Sequence, residues 1–280
     1  MKITKGVYFM LLASFTFTLM KVFVKLVPHI PAIEIILFRS VISLFISVYF
    51  LRKQRVSVWG TNKSILFGRG LAGAIALIIY FSLLQQIPLA TASTLQYLAP
   101  IFTSLIAVFL LGEKIRKLQW LFFLISFSGV LVVQGFDGRI AAIHVVMGVS
   151  ASFFMGLAYN FIRKLKTSEH PLVIIFYFPL VMLPISAIWS AFVWVQPIGW
   201  DWFYLIIIGF ITQIAQFLMT KAYQQEELNK VSILSYLGII YSIGFGYFLF
   251  DETYNLITYL GMGLVLLGVI LNVLTKKKRI

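Results

Sequence analysis

Lys21, Glu34 and Arg39 stand within or at the edge of long apolar runs. A charge inside hydrocarbon costs at least ~2.5–3.5 kcal/mol on insertion scales unless it faces protein or water. Side chains so placed are candidates for holding an ion or a charged ligand. Lys21 is the sixteenth residue of a run opening at Gly6, which at ~1.5 Å per residue is two-thirds to three-quarters of a crossing. It either snorkels to the outer headgroups or faces a cavity. Arg39 reaches a comparable depth from the other direction, in a structural ion pair or in direct ligand contact. Glu34 is five positions from Arg39, about 140° around a helix, so Lys21 is its better geometric partner. Arg69 reads as an interfacial anchor.

Uncharged polar groups inside the runs add donors and acceptors: Ser93, Thr94, Gln96 and Tyr97 in one, Ser232, Ser235 and Tyr236 in another, Tyr159 and Asn160 in a third. Gln213, Gln216 and Thr220 share one helical face. These groups line a cavity or join helices by hydrogen bonds. Pro100 removes the helical bond to the carbonyl of Gln96, leaving an acceptor beside Tyr97, or marks a packing kink. Glu113 and Glu252 close two runs, where a carboxylate opposes the helix dipole and needs a partner. They read as structural gates or loop clasps.

Catalytic and metal chemistry find no support in these residue types. The chain has no Cys, and His29, His144 and His170 have no ligand spacing. No acid/base constellation of an enzyme appears. GRGLAG over residues 68–73 meets the dinucleotide spacing, but no strand precedes it, and no GxxxxGK[ST] motif is present. Gly68, Gly70, Gly73, Gly261, Gly263 and Gly268 read instead as places where helix backbones approach closely. No cofactor or metal is expected.

The elements that position these residues follow from composition. Apolar residues make up 61% of the 280 and charged ones 11%, against roughly 45–50% and about 25% in soluble chains. Mean hydropathy is +0.98. The apolar residues fall into runs of the ~20 that a helix needs to cross a bilayer, and backbone groups facing lipid must be satisfied within the helix. The class is an all-α integral membrane protein with ten transmembrane helices. They run from Gly6 to Lys25, Ala32 to Leu51, Ile65 to Gln85, Ala90 to Leu111, Leu118 to Gln134, Ile140 to Ile162, Leu172 to Trp194, Trp202 to Tyr223, Leu228 to Phe250 and Tyr254 to Thr275. The first run continues past any secretory-type length without a persuasive cleavage site, so it is expected to remain as a span.

A shift of 139 residues lays the chain on itself: Gln85 on Gln224, Gln86 on Gln225, Leu89 on Leu228, Ser93 on Ser232, Tyr97 on Tyr236, Glu113 on Glu252 and Gly129 on Gly268. The domains are therefore two five-helix repeats, 1–139 and 140–280. An odd number of crossings inverts the second repeat relative to the first. Charge agrees: Lys2, Lys5, Arg52, Lys53, Arg55, Lys63, Arg69, Lys114, Arg116, Lys117, Arg163, Lys164, Lys166, Lys221, Lys230 and the basic run at 276–279 all fall on one side. The other side has little beyond Lys21, Lys25 and Arg139. Both termini are expected in the cytoplasm, the membrane being the cytoplasmic one. The net charge of +14 is read as this topology signal, with no nucleic-acid partner.

The stretch LATASTLQYLAPIFTSLIAVFLLGEKIRKLQWLFFLISFSGVLVV, with Glu34 and Arg39 in AIEIILFRS, closely resembles the EamA-like group of the drug/metabolite transporter superfamily. Phe122 and Asp251 depart from it where glycine is usual. The resemblance implies a cavity walled mainly by helices 1, 3, 4, 6, 8 and 9. It does not carry the substrate, since relatives export amino acids, take up S-adenosylmethionine or move sugars and drugs.

The expected function is secondary transport of small metabolites, amino acids or their derivatives, across the cytoplasmic membrane by alternating access. Inverted repeats suit it because related halves exchange inward-open and outward-open shapes. The alternatives are a channel or structural membrane protein, and a carrier for a nucleotide-like metabolite such as S-adenosylmethionine. Expected partners are the lipid bilayer and a small-molecule substrate, with a homodimer as one assembly open to it. Lys21, Arg39, Gln96, Tyr97, Tyr159, Asn160, Gln213, Gln216, Ser235 and Tyr236 are the cavity candidates; Glu34, Glu113 and Glu252 are the gates.

Overall fold

The computed structural model describes residues 4–225 and 234–275, the side chains of residues 220, 223 and 224 excepted. Its helices are α1 (Lys5–Lys25), α2 (Ala32–Lys53), α3 (Lys63–Gln86), α4 (Leu89–Gln96), α5 (Ala99–Leu111), α6 (Lys117–Phe136), α7 (Ala142–Leu165), α8 (Pro171–Val193), α9 (Asp201–Gln225), α10 (Leu237–Phe250) and α11 (Leu256–Thr275). No strand occurs among the described residues. Among the described residues nine segments are long and apolar enough to cross a bilayer, α4 and α5 together forming one, and α10 is a shorter apolar helix. Lys2, Lys230, Ser232 and the basic run at 276–279 lie outside the described residues, as does the side chain of Thr220.

Helix ends match the expected runs to within a few residues, except that the start of the run from Leu228 to Phe250 lies outside the described residues, and there is one correction. The single helix expected from Ala90 to Leu111 is two, α4 and α5, separated at Tyr97 and Leu98. Pro100 has no N–H for the helical ladder and sits in the first turn of α5. The second repeat has the same interruption: Leu234 and Ser235 are helical, Tyr236 is a turn, and α10 begins at Leu237. Ile239 stands where the first repeat has Pro100, so this second break forms without a proline.

Helix pairing follows a pseudo-two-fold relation. α1 packs on α9 as α3 packs on α7, and α5 packs on α7 as α10 packs on α1. α2 with α8, and α6 with α11, pair directly with their own counterparts. The α6–α11 seam is as close as backbones allow: a methyl at Gly129 would stand 2.6 Å from the Gly261 carbonyl. At Gly70 it would stand 2.9 Å from the Tyr177 carbonyl, which draws α8 onto α3. Gly263 is a correction to the expected set, because a methyl there meets nothing within 4 Å.

The two repeats also end their fourth helices alike. Gly112 closes α5 with φ +64°, and Asp251 closes α10 with φ +51°. Glu113 N–H bonds the Ala107 carbonyl at 3.2 Å, and Glu252 N–H bonds the Gly246 carbonyl at 2.9 Å. Asp251 therefore keeps the left-handed cap that its glycine counterpart adopts freely.

Candidate functional site

The two interrupted helices meet at the pseudo-axis. The rings of Tyr97 and Tyr236 stand edge to face, centroids 5.1 Å apart. Tyr97 O–H donates to the Ser235 carbonyl at 2.9 Å, and Ser14 Oγ donates to the same carbonyl at 2.9 Å. The equivalent carbonyl of Gln96, freed by Pro100, accepts from Ser152 Oγ at 3.3 Å, while the same hydroxyl reaches Leu95 O at 2.7 Å. Each break thus leaves a carbonyl inside the bundle that a serine of the other repeat satisfies. The acceptor expected beside Tyr97 exists.

A stripe of small and polar residues explains how α7 reaches the break. Gly148, Ser152, Gly156 and Asn160 recur every fourth position along one face. Gly148 abuts Leu95, and a methyl at Gly156 would stand 2.8 Å from Thr103 N. Asn160 Nδ2 donates to the Thr103 and Gly156 carbonyls at 3.0 and 2.9 Å. The sequence reading named Asn160 but missed the stripe, whose four-residue period was visible. Asn160 belongs to this seam.

Lys21 lies beside the tyrosine pair. It is 4% exposed, so its ammonium does not snorkel to the headgroups. Nζ donates to Ser93 Oγ at 3.2 Å and stands 5.6 Å from the ring centres of both Tyr80 and Tyr97. Ser93 also shares a 2.8 Å hydrogen bond with Ser242 Oγ of the opposite repeat. The expected Lys21–Glu34 pair does not form. Glu34 is fully buried in the first turn of α2, where its Oε2 accepts from Val195 N–H at 3.1 Å. Its partner is the backbone of the α8–α9 connection, reached because α2 packs against α8 and α9.

Glu252 and Glu113 hold opposite ends of the bundle. At the end away from the termini, Glu252 pairs with Lys25 at 2.7 Å and accepts from Leu89 N–H at 2.8 Å and Tyr254 O–H at 3.1 Å. At the other end Glu113 pairs with Arg163. The pairs are near-counterparts, since the 139-residue shift carries Glu113 to Glu252 and Lys25 to Lys164, next to Arg163. Side chains of the first pair are 15% and 7% exposed, those of the second 35% and 17%. The clasp at the end away from the termini is the drier one.

The remaining candidates lie elsewhere. Gln213 and Gln216 share a face, as expected, but that face borders a groove of about 640 Å³ between α2, α8 and α9, walled mostly by Ile46, Phe50, Phe210 and Phe217. Tyr159 is 42% exposed on α7. Arg39 is 7% exposed, with Nε donating to Thr212 Oγ1 at 3.2 Å. Arg69 is not the interfacial anchor expected of it: its Nε and Nη1 are buried, and its guanidinium stands 5.0 Å from the Phe178 ring centre. Among the described residues no group of three His, Asp or Glu side chains is arranged to hold a metal.

An all-helical bundle of two like halves, interrupted at matching mid-span positions, defines the class: a membrane transporter built on a repeated five-helix unit. The chain belongs to the EamA-like transporter family, whose model matches residues 4–134 and again 142–274. It is 32% identical to the pseudopaline exporter of Pseudomonas aeruginosa, over 97% of each chain. It is 28% identical to solute carrier family 35 member G1 of Mus musculus, over 88% of this chain and 72% of that one. A solved structure matches with a TM-score of 0.63 at 19% identity, covering 98% of each chain, which shows a shared fold.

Proposed function

We propose that the protein is a secondary carrier that moves small polar metabolites, amino acids or their derivatives, across the cytoplasmic membrane by alternating access, with both termini cytoplasmic. One observation carries this reading: both repeats break a crossing at the same place, and the breaks face each other through Tyr97 and Tyr236. Interrupted helices at corresponding positions are where such carriers place substrate and ion sites, because the breaks free backbone groups in a protein-lined interior. Lys21, Ser93 and Ser242 surround the breaks with a cation and two hydroxyls. Opposed clasps at Lys25–Glu252 and Glu113–Arg163 suit a cycle in which one end opens while the other holds. The bias of Lys and Arg toward one side supports the orientation.

The relative described as a pseudopaline exporter makes outward movement the direction to test first. Purified protein in liposomes should show saturable counterflow of a labelled amino acid derivative, reduced by Tyr97→Ala and Tyr236→Ala at normal abundance. Flux that neither saturates nor shows counterflow would mean a channel.

A further inference from the structure

Arg39, buried, and Arg69, half-buried with its Nε and Nη1 buried, form a second polar locus, apart from the tyrosine breaks. Their guanidinium carbons stand over the same ring, Phe178 of α8, at 5.4 and 5.0 Å from its centre. Arg39 also stands over Phe81 at 5.8 Å. They reach this ring from different helices, α2 and α3, and are close enough for each charge to act on the other. The geometry is fixed from behind, since a methyl at Gly73 would stand 3.0 Å from the Phe178 ring.

Among the described residues no carboxylate forms an ion pair with either charge. Among the described residues the ion pairs involve Lys25, His29, Arg139 and Arg163, and neither of these arginines. Glu34, five positions from Arg39 on α2, gives Oε2 to Val195 N–H, and its Oε1 is buried without a hydrogen-bond partner, so it pairs with neither arginine. Arg39 Nη1 and Arg69 Nε and Nη1 are buried without a hydrogen-bond partner. A buried donor left unmade is destabilising, more so when charged, and two like charges in a membrane interior add repulsion. The aromatic rings offset part of this, but leave the N–H groups unanswered. A guanidinium over a ring keeps its in-plane N–H groups available, and these match the two oxygens of a carboxylate or phosphate. Tyr159, half-exposed on α7, is close enough to Arg69 to act on its charge.

We infer that the unanswered N–H groups of Arg39 and Arg69, gathered around the Phe178 ring, are a binding site for an anionic oxygen group, a carboxylate or phosphate. The inference stands on the two arginines alone and does not require the tyrosine breaks to be the transport site.

The test is ligand-dependent thermal unfolding of the purified chain in uncharged detergent, with acetate or inorganic phosphate titrated against chloride at matched ionic strength. A parallel arm adds phosphatidylglycerol or phosphatidylcholine. Wild type should gain saturable stability from acetate or phosphate, weakened about tenfold in R69K, as expected when a fork becomes a point charge, and lost in R39Q or R69Q. Saturable stabilisation by phosphatidylglycerol alone, lost in the same variants, would assign the anion to a lipid headgroup. The inference is overturned if wild type responds to neither source, or if R69K and R39Q respond as fully as wild type. The wild-type titration and the charge-keeping R69K decide the matter even if a glutamine variant does not fold.

Discussion

Glu252→Gln at the drier clasp gives the sharpest test of the proposed cycle. The substitution keeps the side chain's volume and one oxygen for Leu89 N–H but removes the charge facing Lys25. Breaking a buried ion pair from one side costs about 3–5 kcal/mol. Here Lys25 keeps its 2.7 Å bond to the Ile87 carbonyl and some contact with water, so about 2–3 kcal/mol is expected. If the clasp forms only while that end is closed, the equilibrium shifts roughly 30- to 140-fold toward opening there. Glu113→Gln acts on a wetter pair and should shift the balance the other way by about 1 kcal/mol, roughly fivefold. The Cys-free chain suits a direct assay: Thr18→Cys as reporter, labelled with a membrane-impermeant maleimide from each face. Glu252→Gln should speed labelling from the end away from the termini, and Glu113→Gln from the other. Equal effects from both, or none, would refute the gating role.

Lys21→Met keeps the apolar stem and removes the charge; transport of anionic or zwitterionic substrates should fall much more than that of neutral ones in vesicle uptake, with abundance unchanged. Gly261→Ala should cost about 1–3 kcal/mol in thermal unfolding, because the methyl meets Val133 at 2.8 Å and the Gly129 carbonyl at 3.0 Å, whereas Gly263→Ala should stay within about 0.5 kcal/mol. Asp251→Gly relieves a left-handed aspartate and should stabilise by about 1 kcal/mol. Glu169 in the α7–α8 connection is pushed up by burial, yet Thr61 Oγ1 at 2.6 Å and Asn62 N–H at 2.5 Å outweigh this and hold it below its ordinary value. A depressed carboxylate stabilises above the ordinary range and loses that contribution as pH falls through its folded value; the acid limb of an unfolding profile should flatten in Glu169→Gln.

The helices and the repeat were legible because hydropathy and a fixed offset are properties of order along the chain. Tyr97, Tyr236 and the freed Gln96 carbonyl were legible for the same reason, through the offset and Pro100. Partnerships were less so. Depth along a helix follows from counting, but whether Lys21 snorkels or turns into the bundle, and the angle at which it meets a neighbour, do not. Lys21 therefore found Ser93, and Glu34 found Val195 N–H. Arg69 reads as an interfacial anchor from the sequence, and nothing local announced that Phe178 of α8 would lie under it. Gln213 and Gln216 showed that they shared a face; which face depended on how α9 turns against α2.

The tyrosine contact lies on the pseudo-axis, and this separates rate from direction. In the proposed cycle, opening toward either side must slide or part the same pair of rings. A substitution there raises or lowers one barrier common to both half-cycles and leaves the resting preference between the two faces nearly untouched. The clasps sit off the axis and are unlike, so changes in them move the preference. In that cycle speed and polarity are set by different residues.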